Sequence, residues 1–96
     1  MGIIIHGGNA RSSAMRAIAE AKNANFGEAE KLIEESNEEL NKAHRIQTDL
    51  IQAESRGEKT EISLLMVHAQ DHLMNAMTVR DLAIEIIDLT KKTINI

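Results

Sequence analysis

Apolar side chains recur at three- and four-residue steps along most of this chain. The middle third is the clearest case. Ala29, Leu32, Ile33, Ser36, Leu40, Ala43, Gln47, Leu50 and Ile51 fall on one side of a helical wheel. Glu34, Glu35, Glu38 and Glu39 with Lys31, Lys42 and Arg45 form the opposite, solvated side, a charge run that carries no functional message. The pattern breaks at 23-NANFG-27 and again at 54-ESRGEKT-60. It therefore predicts a single domain spanning 1–96, all-α, with three helices at about 2–23, 27–53 and 61–93. Asn25 followed by Glu28 has the form of a capping box, and Thr60 or Ser63 is expected to cap the third helix. The charged connection around Gly57 is expected to be mobile.

The outer helices are less regular. In the first, Ile4, Gly8, Arg11, Met15 and Ile18 line one side. Gly7-Gly8 inside a helix costs about 1 kcal/mol per residue relative to Ala. That pair has two readings, a late helix start or a neighbour packed close against the turn. In the third helix Ile62, Ala69, Leu73, Ala76, Ala83 and Ile87 form a core stripe, opposite a solvent stripe of Asp81, Glu85, Asp88 and Lys92. Leu64, Leu82, Ile86 and Leu89 form a second apolar stripe beside the first. Three helices folding as one bundle need one buried stripe each. The second stripe predicts self-association.

Composition narrows the class of function. The chain has 96 residues, no cysteine and one aromatic residue, so disulfide and thiolate chemistry are excluded and Leu, Ile, Ala and Met must build the core. A net charge of −4 argues against a nucleic-acid surface. No apolar run reaches the roughly 18 residues that span a bilayer, and Ile3-Ile4-Ile5 is too short for a secretion signal. A cytoplasmic location is the expectation.

Candidate chemistry is concentrated in 65-LMVHAQDHLMNAM-77, where His68, Gln70, Asp71 and His72 interrupt an apolar helix. On the wheel Asp71 lies within roughly 20° of Leu64, Leu82 and Leu89, and His68 flanks them. His72 is about 40° further round, toward the bundle interior. Buried polar groups require partners, and one reading is simply four satisfied core polar residues. A second is a metal site, since imidazoles at i and i+4 share a face. It lacks a third ligand, and Ala69 stands where helical zinc proteases place a general-base Glu. The third is a histidine phosphoryl carrier, which needs an accessible neutral ring nitrogen. Composition and spacing leave these readings open.

The segment 64-LLMVHAQDHLM-74 closely resembles the V-H-A-Q-D-H-L-M signature of the lactose/cellobiose-type enzyme IIA of the bacterial sugar phosphotransferase system. Two further blocks agree: 40-LNKAHRIQTDLI-51 with the family's L-N-x-A-H-x-x-Q-T, and 3-IIIHGGNARSSAMRAI-18 with its I-I-x-x-G-x-A-R-S. His6 departs from the small or amide residue frequent in relatives. The resemblance implies a three-helix antiparallel bundle assembling as a homotrimer of nine helices. It implies that His68 accepts phosphate from the phosphocarrier HPr and passes it to a cysteine of enzyme IIB, for uptake of a disaccharide such as cellobiose, diacetylchitobiose or lactose. It further implies that Asp71 lies at the three-fold axis on a shared divalent metal, expected to be Mg2+, and that Gln70 supports the histidine. No role is carried over to His44 or His72. The alternative is a trimeric helical structural or regulatory module without phosphate transfer.

Overall fold

The computed structural model describes residues 2–59 and 62–94. Three helices run up, down and up: α1 Gly2–Lys22, α2 Phe26–Ser55 and α3 Leu64–Ile94. The molecule is a rod with extents of 57 × 21 × 17 Å. Helix length sets the long dimension, because 31 residues at 1.5 Å per residue span about 46 Å. The core is therefore a thin seam. It is fullest where Ile3, Ala10, Leu40, Ala43, Ala69, Leu73 and Ala76 meet, and where Ala17, Ala21, Ala29, Leu32 and Ile87 meet.

α1 lies against both other helices, which touch one another far less. Its buried residues are Ile3, Gly7, Ala10, Ala14, Ala17 and Ala21, alternating at four and three residues. This corrects the face expected from sequence. Arg11 and Met15 are exposed, and Ile4, Gly8 and Ile18 are half-buried on the flank. The cause is size: a helix with neighbours on two sides packs closest through its smallest side chains, so Ala and Gly take the seam and the larger Met is left outside. The buried Ser36 hydroxyl donates to the Ala10 carbonyl oxygen at 2.8 Å, so the one buried polar residue among the described residues is satisfied there.

α2 buries Ala29, Leu32, Ser36, Leu40 and Ala43 on the face that the periodicity gives, with Gln47 and Leu50 half-buried further along. Ile51, expected on that face, is exposed because α2 by then has run past the start of α1. Asn25 precedes α2, but its side chain makes no cap hydrogen bond. Its amide donates to Glu20 instead, at 2.9 Å, so the expected capping box with Glu28 does not form. In the 24–25 turn Ala24 takes φ 62°, a left-handed conformation that ends α1.

α3 buries Ala69, Leu73, Ala76, Ala83 and Ile87. Ile62, assigned to the same stripe from sequence, precedes the helix and is 80% exposed. Ser63 is the cap: its hydroxyl accepts from the Met66 backbone N–H at 3.1 Å. Thr60, the other candidate cap, lies outside the described residues. Gly57 has φ 84° in the connection from α2. Arg80 on α3 donates to Asn37 of α2 at 2.6 Å, and Lys91 to Glu30 at 2.5 Å, tying the two helices together outside the core.

Candidate functional site

His68 stands on the second turn of α3, one turn after the Ser63 cap, and its side chain is exposed. Side chains on a helix tilt toward its N-terminus, so the imidazole leans over a first turn that contains no acidic residue. The partial positive charge at a helix N-terminus favours an anionic group carried there. Exposed Leu64 and Leu65 border the ring and make its surroundings apolar.

His72 lies one turn further along and is half-buried. Its ring stacks against that of His68, with centroids 6.0 Å apart and planes inclined by 25°. The edge of its ring lies along the Gly7-Gly8 step of α1. A Cβ at Gly7 would stand 3.3 Å from His72 Cδ2 and 3.6 Å from Leu73 Cα. Of the two readings of this glycine pair, the close neighbour is the one realised, since α1 is already helical from Gly2. The neighbour is the α3 segment His72-Leu73.

Asp71 points outward on the same helix, exposed, with Asn75 Nδ2 donating to its Oδ2 at 3.3 Å. Leu64, Leu82, Ile86 and Leu89, on the same face of α3 along its length, are all exposed, Leu64 at 86%. The second apolar stripe therefore lies uncovered on the single chain. Among the described residues no three His, Cys, Asp or Glu side chains converge as metal ligands. One chain contributes one carboxylate at Asp71, and the stacked His68 and His72 have no third ligand between them.

Gln70 does not reach His68 of its own chain. Its Oε1 accepts from Nε2 of Gln47 on α2 at 2.5 Å, and on the α3 wheel Gln70 projects roughly 160° away from His68. Gln47 was legible from sequence only as a polar residue on the buried face of α2. The partner that made it useful was not. His44 is exposed on α2, whereas His6 pairs with Glu39 at 2.5 Å.

None of the helices among the described residues is long and apolar enough to cross a membrane. Residues 1–91 match the family described as "PTS system, Lactose/Cellobiose specific IIA subunit". The lichenan-specific phosphotransferase enzyme IIA component of Bacillus subtilis is 66% identical over 90 residues, which cover 94% of this chain and 82% of the relative. Among solved structures, the cellobiose-specific enzyme IIA of Bacillus anthracis superposes with a TM-score of 0.94 at 55% identity, covering 96% of this chain and 84% of that one. The IIA(Chitobiose)-HPr complex of the Escherichia coli N,N'-diacetylchitobiose branch gives a TM-score of 0.84 at 43% identity, covering 97% of this chain and 90% of that one.

Proposed function

Since the chain belongs to the lactose/cellobiose-specific IIA family of the sugar phosphotransferase system, we propose that it carries a phosphoryl group on His68, received from HPr and handed to enzyme IIB in the cytoplasm. The observation that carries the residue assignment is the exposed His68 of V-H-A-Q-D-H, seated on an apolar rim at the N-terminal end of α3. A neutral ring nitrogen of His68 attacks phosphorus as the bond to the donor breaks. The reverse type of exchange then delivers the group to IIB, so one difficult transfer becomes two. The sugar is met only by later components, so this chain serves whichever disaccharide its partners select. A solved relative at 43% identity is a complex with HPr, which supports HPr as the donor.

The proposal includes a homotrimer. The uncovered stripe of Leu64, Leu82, Ile86 and Leu89 supports it, with Asp71 and Asn75 between them. Three Asp71 carboxylates meeting at an axis repel one another unless a cation neutralises them. Their oxygen-only chemistry fits a hard ion such as Mg2+, which would be held by Asp71 of each chain. The half-buried Gln47–Gln70 pair faces away from its own His68. In the proposed trimer, Gln70 would support the His68 of an adjacent chain.

The experiment is phosphorylation by phosphoenolpyruvate, enzyme I and HPr. One acid-labile phosphate per chain is expected, abolished by His68→Gln with helicity and oligomeric state unchanged. His44→Gln is expected to be labelled like the wild type. A folded trimer that takes up no phosphate would instead be a structural or regulatory module, and equal labelling of His68→Gln would overturn the residue assignment.

A further inference from the structure

Gly7 and Gly8 occupy consecutive positions inside α1, and the space each leaves is used differently. At Gly7 an added Cβ would approach both the His72 ring and the backbone of Leu73, with Cα at 3.6 Å and N at 3.8 Å. The absent side chain at Gly7 therefore serves the approach of α1 to α3. At Gly8, setting aside its chain neighbours and α1's own backbone, the one heavy atom among the described residues within 4 Å of an added Cβ is His72 Nε2, at 3.3 Å. Packing within the single chain gives no reason for glycine at position 8. The ring of His72 does.

The Cδ2–Nε2 edge of His72 lies along this glycine step, and the ring stacks on His68 at 6.0 Å. That stack is the one ring–ring contact of His68 among the described residues. A histidine that exchanges phosphate with two different proteins must present its ring in a reproducible direction, because misplacement of a reacting group by about 1 Å can cost 100-fold in rate. An exposed imidazole on a helix otherwise samples several rotamers.

We propose that His72, seated against Gly7-Gly8 of α1, is a positioning residue that fixes the ring of His68 for phosphoryl transfer. This rests on the reading of His68 as the acceptor. His72 touches neither donor nor phosphate in this scheme. It narrows the orientations of the residue that does.

The test is a double-mutant cycle on the full chain, with phosphorylated HPr as the donor in single-turnover transfer. Ala is a better helix former than Gly, so Gly8→Ala is expected to fold. His72→Ala is expected to slow transfer about tenfold, and Gly8→Ala by a smaller but resolvable factor, with the final yield still one phosphate per chain. The double variant is expected to transfer no more slowly than His72→Ala alone, because the added methyl then has no ring to displace. The His68 ring C–H resonances are expected to shift in both single variants. The proposal is overturned if Gly8→Ala leaves the transfer rate and the His68 resonances unchanged, or if the two rate effects multiply. A wild-type chain that takes no phosphate would overturn only the acceptor reading, and the His68 resonances would still decide the seating.

Discussion

Two stripes of this molecule share a repeat of threes and fours and meet opposite fates. The α1 stripe of Ile3, Gly7, Ala10, Ala14, Ala17 and Ala21 is fully enclosed by its own chain. The outer stripe of α3, Leu64, Leu82, Ile86 and Leu89, carries far more apolar surface and is left exposed. Hydrophobicity alone would bury the second first. The difference lies in what each stripe is interrupted by and how close its neighbours come. Small residues let α1 settle between two helices at once, gaining dispersion contacts over its length. The outer α3 stripe is broken by Asp71, Asn75 and Thr78, groups that a dry intrachain core would leave without partners. In the proposed homotrimer, other copies of the chain would cover this surface and its polar groups would face the axis.

The comparison can be broken most severely at the inner seam. Leu73 is fully buried where α3 passes Gly7, and Leu73→Ala is expected to cost about 2–5 kcal/mol, read as a lower denaturant midpoint. Ala14→Leu is expected to cost up to about 3 kcal/mol by overpacking a fully buried position of α1. If Met15→Leu, on the exposed side next to it, were equally damaging in thermal melts, the assignment of faces on α1 would be wrong.

At the outer stripe the expected sign reverses. Asp71→Leu removes a carboxylate and adds apolar surface, contributing about 2 kcal/mol per chain if the side chain is buried against other copies. The variant is expected to melt above the metal-free wild type and to be insensitive to chelator. A monomeric Asp71→Leu in sedimentation would remove Asp71 from the axis. The smallest expected effect returns to the inner seam. Ser36→Ala deletes a buried hydroxyl whose partner, the Ala10 carbonyl, still has its helical role. A loss of about 1 kcal/mol is expected, measurable as a shift in midpoint with an unchanged denaturant slope.

Local sequence determined the number of helices, the buried face of α2, the core stripe of α3 from Ala69 to Ile87, and the segment that carries the candidate chemistry. Each is written in short-range spacing or in a contiguous motif, and neither needs knowledge of a neighbour. The face of α1 was misread because a periodicity weighted by hydrophobicity favours Ile4, Met15 and Ile18, whereas the value of Ala10, Ala14 and Ala17 exists only once two helices press against them. The Asn25 side chain makes no cap, and its Nδ2–H donates instead to Glu20, a partner brought near by the turn. Gly7-Gly8 was visible as an anomaly, but only the parallel placement of α1 and α3 supplied the ring of His72 that fills the space. Gln47 and Gln70, 23 residues apart, became a pair by the same means. Long-range proximity decided these points because contact energies depend on distances that the order of residues along a helix does not contain.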